Sequence, residues 1–227
     1  MSFIFFPDSI ITEKIDLGFA ISAAAFNAKQ TFDKVKETVK FIIKKYAVGN
    51  LRYAVIIYGS DAKVTLSFEK TFPSLENWLT TVDGMRNEAG NPALEKALRK
   101  AEELFQSSAR KDAKKVLVVI ADKSPIGDKQ ETGKEAQELD FADVKIVPVA
   151  IGDDIDPKEI EEISPYKDVL VVVRGEVDPT ELGKSVMAKV LKGSVLNTEV
   201  GPFVCLGQIS IECLTTKTNI IALANHK

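Results

Sequence analysis

A chain of 227 residues is long enough to bury the core of one large α/β domain, or of one domain with an appendage. Its 45% hydrophobic and 28% charged residues are ordinary for a globular protein, which excludes disordered and fibrous classes. The 30 basic and 33 acidic residues are interspersed and form no basic stripe, so binding to nucleic acid or to a membrane surface is disfavoured.

The first thirteen residues are interpreted as an N-terminal extension. They begin Met1-Ser2-Phe3-Ile4, which is apolar but lacks the basic region and the length of a signal peptide. Either the protein is cytosolic or an expressed fragment begins here. No run of eighteen apolar residues occurs, so no transmembrane helix and no membrane insertion are expected.

Apolar runs alternate with amphipathic segments along most of the chain. The predicted strands are Ile15 to Ile21, Arg52 to Tyr58, Lys63 to Phe68, Lys115 to Ala121, Val144 to Ala150 and Val169 to Val173. The predicted helices are Lys29 to Tyr46, Ser74 to Thr81, one marked by apolar residues from Leu94 to Leu104, Glu131 to Leu139, Pro157 to Ile163 and Pro179 to Leu191. Asp156 and Asp178 are the natural caps of the last two helices.

This order predicts a doubly wound α/β domain over residues 14–193. Its six-stranded sheet should be mostly parallel, with helices on both faces. Only Gly59-Ser60-Asp61-Ala62 separates the second and third strands, which indicates a hairpin and one antiparallel edge strand.

The first strand runs into a loop that reads Ser22-Ala23-Ala24-Ala25-Phe26, with one hydroxyl and no carboxylate. Open α/β folds place ligand chemistry at such carboxyl ends of parallel strands. In this loop, and in the order of the later segments, the chain resembles a von Willebrand factor type A domain from about Ile15 to Leu191. The most diagnostic segment is Val144 to Gly152, followed by Asp156-Pro157-Lys158-Glu159-Ile160.

The resemblance implies a metal-ion-dependent adhesion site, in which a D-x-S-x-S loop, a Thr and an Asp hold Mg²⁺. The matching positions here are Ser22, Ala24, Phe26, Pro92 and Asp122. A slip of one or two residues would put Asn91 or Leu94 in place of Pro92, and neither has a hydroxyl. Because hard cations require oxygen ligands, the site is interpreted as degenerate, without a metal cofactor. Asp122 is then expected to cap a loop or to pair with Lys123 or a nearby amide.

Other carboxylates, at Asp61, Asp128, Asp153 and Asp154, are predicted to lie at the same end of the sheet. They could form a loose Ca²⁺ site, since that ion accepts six to eight oxygens, or simply a solvated acidic rim. The acidic rim is the preferred interpretation.

Catalytic chemistry finds little support in the chain. The single histidine, His226, lies one residue from the end, so neither a Ser-His-Asp triad nor a histidine-ligated zinc can form within the core. No G-x-x-x-x-G-K-[ST] sequence is present to cradle phosphates. A protein without enzymatic activity is expected.

Residues 194–227 have few charges and are interpreted as a C-terminal extension. Cys205 and Cys213 lie eight residues apart within it, a spacing that suits a disulfide across a small loop or hairpin; two buried free thiols are the alternative. A disulfide would place the protein in an oxidising compartment.

The resemblance implies a non-catalytic protein-binding domain of a secreted extracellular matrix or cell-adhesion protein. Its partners would be matrix or adhesion proteins, or other von Willebrand factor A domains, bound without the usual metal. Phe26 and Pro92 would then form part of a dry contact surface. Two alternatives stay open, namely an intracellular scaffold or assembly subunit and a Ca²⁺-responsive module of matrix or mineral assembly.

Overall fold

The computed structural model describes residues 10–11, 13–23, 29–46, 50–68, 74–86, 90–124, 128–166, 168–192 and 195–196. Ala24, Phe26, Cys205, Cys213 and His226 therefore lie outside the described residues. Those described all belong to one compact unit, Met1–Leu196.

Eight strands and six helices are formed by the described residues. The strands are β1 (Ile10–Ile11), β2 (Ile15–Ser22), β3 (Leu51–Tyr58), β4 (Ala62–Leu66), β5 (Lys114–Ala121), β6 (Val144–Ile151), β7 (Val171–Val173) and β8 (Val195–Leu196). The helices are α1 (Lys29–Tyr46), α2 (Leu75–Asp83), α3 (Leu94–Ser108), α4 (Lys129–Phe141), α5 (Pro157–Glu161) and α6 (Pro179–Val190).

Six of the strands form one sheet in the order β4-β3-β2-β5-β6-β7. All neighbours are parallel except β3 and β4, which form the predicted antiparallel hairpin. The fold predicted from the sequence is therefore confirmed, including its single antiparallel edge strand.

Both faces of this sheet are covered, so its central strands are apolar throughout. All eight residues of β2 are buried, and one apolar cluster lies on each side of the sheet. Helices α1, α2 and α6 contribute to the first cluster, and α3, α4 and α5 to the second. The alternation of side chains along a strand supplies both clusters at once.

The observed bounds differ from the predicted ones mainly at the two edge strands. The last strand pairs over only Val171–Val173, and β4 ends at Leu66 instead of Phe68, after a register shift between Val55 and Ile56 on its partner strand. Helix α4 begins at Lys129, two residues earlier than predicted, because Asp128 caps it. A polar first turn carries no apolar spacing and is therefore invisible to a periodicity argument.

A second, two-stranded sheet was not predicted. Strands β1 and β8 pair antiparallel, with Ile10 opposite Leu196 and Ile11 opposite Val195. The Asn50 side chain donates a hydrogen bond to the Ile11 carbonyl at 3.0 Å and ties this sheet to the turn before β3. Strands of two residues are too short to show any period in a sequence.

None of the helices formed by the described residues is long and apolar enough to cross a membrane.

Candidate functional site

The carboxyl ends of three adjacent strands bring together three polar side chains. Ser22 is the last residue of β2 and pairs with Tyr58, the last residue of β3. Asp122 directly follows β5, the other neighbour of β2. Parallel pairing thus places Ser22 between Tyr58 and Asp122, and this trio forms the centre of the candidate site.

Two oxygens of this trio are buried without a hydrogen-bond partner. Ser22 is only 8% exposed, and its Oγ is unpaired; Oδ1 of Asp122 is likewise buried and unpaired. The Tyr58 hydroxyl, fully enclosed, donates a long hydrogen bond of 3.4 Å to the Ile120 carbonyl. Oδ1 therefore takes no part in the expected loop cap or in the expected pairing with Lys123 or a nearby amide. A backbone hydrogen bond from the amide of Asp122 does reach the carboxyl group.

Burial is the main influence on the acid–base state of the trio. It raises the pKa of Asp122 above its ordinary value, and the charge of Asp154 adds to this effect. The nearby Ser22 hydroxyl and Lys123 lower the pKa in part, although the hydroxyl does not reach Oδ1 with hydrogen-bond geometry. Burial also raises the pKa of Tyr58, which is therefore a neutral phenol.

The second loop supplies no hydroxyl at the matched position. Pro92 is buried, Leu94 is in the core and Asn91 is exposed. The loop is held against the β3–β4 hairpin, because the Ala93 amide donates to the Gly59 carbonyl at 2.8 Å. Since Pro92 is buried, the expectation that it forms part of a contact surface is wrong.

Gly90 explains how this loop packs so closely. Its φ is +137°, and a Cβ there would lie 2.9 Å from Cβ of Ser60. Only glycine fits such a backbone conformation without strain.

Glu95, the second residue of α3, carries a third buried oxygen without a hydrogen-bond partner, its Oε2 atom. No sequence signal singled out Glu95.

The predicted acidic rim is present, but its members have separate structural roles. Asp128 caps α4 through its side chain, and Asp61 and Asp153 lie 3.9 and 3.4 Å from Lys96 and Arg174. Within the described ranges, no three acidic, histidine or cysteine side chains are grouped so that they could hold a metal ion.

The opposite end of β2 carries a buried ion cluster. Asp16 is fully buried, and Arg52 reaches its two carboxylate oxygens at 3.0 and 2.8 Å. The amide and Nε of Arg110 reach the same oxygens at 2.6 and 2.9 Å. Burial alone would raise the pKa of Asp16, but these hydrogen bonds outweigh burial and lower it. The sequence alone does not reveal this role, because Arg110 is 94 residues away from Asp16 in the chain.

The sheet order, the single antiparallel edge and the position of the trio define a von Willebrand factor A-like α/β domain. The sequence profile described as von Willebrand factor type A domain matches residues 16–178. The chain belongs to this family.

Two groups of relatives extend this assignment. The mouse (Mus musculus) collagen alpha-4(VI) chain is 29% identical over 157 residues, which are 68% of this chain and 7% of the collagen chain. Proximal thread matrix protein 1 from the mussel byssus is similar in structure, with a TM-score of 0.70 and 18% identity over 80% of this chain and 49% of that one. This chain thus spans a small part of the collagen chain and about half of the byssus protein.

Other solved structures share the fold. A form of the byssus protein with a zinc-occupied metal-ion-dependent adhesion site has a TM-score of 0.67, at 19% identity over 81% of this chain and 46% of that one. A von Willebrand factor type A structure from Catenulispora acidiphila has a TM-score of 0.62, at 17% identity over 78% of this chain and 42% of that one. At such identities the similarity establishes the fold alone.

Proposed function

We propose that this chain is a non-catalytic protein-binding domain of an extracellular matrix or adhesion protein, and that it binds its partners without a metal ion. The observation that carries the proposal is the pair of Ser22 and Asp122. They provide the only side-chain oxygens among the five positions that match the family's ligands. The matrix setting is supported by the collagen and byssus relatives.

The donor set does not fit Mg²⁺ as the family holds it. That ion requires near-octahedral oxygen coordination. Alanine and phenylalanine occupy two of the matched positions and a buried proline a third, so three ligands are lost. Burial raises the pKa of Asp122 and so disfavours the carboxylate form that a metal ion requires, and Lys123 adds a positive charge beside it.

Without the ion, there is no coordination shell for a partner's carboxylate to complete. Binding then depends on loop shape, hydrogen bonds and apolar contact at the carboxyl ends of the strands. The burial of Pro92 removes it from this surface, so Phe26 is the remaining candidate of the two predicted from the sequence.

Capture of matrix proteins by the immobilised full chain tests the proposal. We expect the same bound proteins and the same amounts in millimolar Mg²⁺ and in EDTA. Replacement of Phe26 by alanine should weaken capture, whereas the same change at Phe141, which is 73% exposed, is the control. Loss of capture in EDTA would contradict binding without a metal.

Calorimetric titration provides an independent test on the ion itself. We expect no heat of binding when Mg²⁺, Ca²⁺ or Zn²⁺ is added to the chain at millimolar concentration. A von Willebrand factor A domain with the complete ligand set serves as the positive control. A saturable heat that disappears in the Asp122→Asn variant would show that the site still binds metal.

A further inference from the structure

Two buried oxygens without hydrogen-bond partners lie near each other at the carboxyl ends of β2 and β5. They are Oγ of Ser22 and Oδ1 of Asp122. The Ser22 hydroxyl is near enough to Asp122 and to Tyr58 to oppose in part the rise in the pKa of both groups. Ser22 therefore lies beside both side chains, in agreement with the pairing of β2 with β3 and β5.

These groups require a partner that can donate hydrogen bonds. Buried polar atoms in folded proteins are almost always paired, because burial removes the bonds that bulk water would supply. An ionised carboxylate such as Asp122 only accepts hydrogen bonds, whereas the Ser22 hydroxyl both donates and accepts. The Tyr58 hydroxyl also has capacity left, because its bond to the Ile120 carbonyl is long, at 3.4 Å. One small molecule that both donates and accepts would satisfy all three side chains.

Small residues surround this position. Where the family has an aspartate as its first metal ligand, this chain has the shorter Ser22. The residue after it, Ala23, and the residue before Asp122, Ala121, are both buried and carry only a methyl group. We therefore expect space beside Asp122 for a single small molecule.

We propose that one ordered water molecule binds between Ser22 and Asp122 and takes the place that the metal ion has in the family. The water donates a hydrogen bond to Oδ1 of Asp122 and shares a second bond with the Ser22 hydroxyl. The Tyr58 hydroxyl provides a third, so the water makes the three bonds that are typical of buried water. The water joins the ends of β2 and β5 without an ion.

The number of available oxygens decides between water and a metal ion. Buried water needs two to four polar contacts, which Ser22, Asp122 and Tyr58 supply, whereas Mg²⁺ needs six oxygens in near-octahedral array. The inference rests on the proposed function in one respect, namely that no ion competes for the position.

A high-resolution crystal structure of the full chain grown in EDTA is the direct test. We expect a water at about 2.7 to 3.0 Å from both Oγ of Ser22 and Oδ1 of Asp122. A direct hydrogen bond between these two atoms, with no water between them, would overturn the proposal. A second crystal soaked in Mg²⁺ separates this test from that of the proposed function. An octahedral ion at about 2.0 to 2.1 Å there would contradict binding without a metal, and the EDTA crystal would still decide whether water binds.

The Ser22→Asn variant tests the same position in solution. Its amide is long enough to replace the water and to donate to Oδ1 of Asp122, so the melting temperature should change little. Relaxation dispersion of ¹⁷O-labelled water should detect one long-lived water fewer than in the wild-type chain. An equal number of long-lived waters would contradict the proposal.

Thr38→Asn is the matched control for this variant. Thr38 is fully buried and its hydroxyl already donates to the Lys34 carbonyl at 2.9 Å, so no bound water is expected there. The added amide should therefore lower the melting temperature by several degrees through overpacking. If Ser22→Asn lowers the melting temperature as much as Thr38→Asn does, there is no space for a water beside Asp122 and the proposal is wrong.

Discussion

Asp16 is a fully buried carboxylate whose charge is balanced by Arg52 and Arg110. Removing the charge in the Asp16→Asn variant leaves two arginines without their anion, and breaking such a pair costs about 3 kcal/mol or more. We expect a loss of about 3 kcal/mol in the free energy of unfolding in urea, since both arginines keep some contact with solvent.

The Lys14–Asp112 pair is a matched control at the same end of the domain. Both of its side chains are about half exposed or more, so Asp112→Asn should have a much smaller effect on the free energy of unfolding than Asp16→Asn. Because the pKa of Asp16 is lowered, its contribution is present above the ordinary value of 3.8 and is lost as the pH falls through the folded-state value. Equal effects of the two variants at neutral pH would contradict the role of Asp16.

The pKa of Asp122 is shifted in the opposite direction to that of Asp16. Its raised pKa means that the unfolded chain loses this proton first as the pH rises, so the folded state is penalised above the ordinary value of 3.8. Asp122→Asn removes the charge and should stabilise the chain at pH 7 by about 1 kcal/mol. The gain should disappear in urea titrations below pH 3.8, where both states are protonated. Asp61, whose side chain is 86% exposed, provides the control. A destabilised Asp122→Asn variant would be the contrary result.

The sequence predicted where Ser22 and Asp122 lie but not how their atoms are paired. Strand ends are set by the apolar runs before them, and parallel pairing brings those ends together. Whether a donor lies within hydrogen-bond distance of Oδ1 of Asp122 depends on loops from three parts of the chain. Local sequence patterns do not predict how such distant loops are arranged. The same limitation hid the partners of Asp16.

At the scale of the elements, two helix glycines offer a contrast in packing. A Cβ on Gly183 of α6 would lie 2.4 Å from Cδ1 of Phe41 on α1, whereas a Cβ on Gly133 of α4 would meet nothing within 4 Å. We expect Gly183→Ala to lower the free energy of unfolding by about 1 to 2 kcal/mol through overpacking. Gly133→Ala should raise it by about 0.5 to 1 kcal/mol through helix propensity.

Thermal or urea unfolding of the two alanine variants compares them directly. Their shifts in stability should have opposite signs, because Gly183 is tightly packed and Gly133 is not. The chemical change and the type of element are the same in both variants, so the comparison isolates the effect of packing. Two stabilising shifts would show that Phe41 moves aside without cost, and that α1 and α6 are less tightly packed than their contact indicates.

Helix and strand bounds were predictable where side chains carried the signal. The predicted bounds of Lys29 to Tyr46 agree with α1, because its apolar face repeats over 18 residues. Asp156 and Asp178 cap α5 and α6 as predicted, and each accepts hydrogen bonds from the first turn. The edge strand β7 was too long in the prediction, since its extent depends on how far β6 continues beside it and not on its own apolar residues.

At the scale of the whole molecule, three acidic helix caps share one end of the sheet. Asp128, Asp156 and Asp178 cap the helices that follow β5, β6 and β7, at the carboxyl ends of these strands. Helix dipoles favour acidic caps there, because the N-terminus of each helix carries partial positive charge. Helices that follow parallel strands all begin at the same end of the sheet, so the fold brings these three carboxylates to one side of the molecule.

Hydrogen exchange should reveal how stability is distributed over the sheet. Strands β2 and β5 have hydrogen-bonded neighbours on both sides and are buried, whereas β4 and β7 are edges. We expect the amides of Phe19 to Ile21 and Val118 to Ile120 to exchange only through global unfolding, with rates that rise steeply with denaturant. The amides of β7 should exchange faster and depend little on denaturant.

Asp16→Asn provides a check that connects this measurement to the buried ion cluster. A loss of about 3 kcal/mol corresponds to a rise of roughly a hundredfold in the population of the open state. The slowest amides of β2 and β5 should therefore both exchange about a hundredfold faster in the variant, while those of β7, which open locally, should change little. Faster exchange confined to β2 would mean that Asp16 stabilises one strand and that the sheet does not unfold as a single cooperative unit.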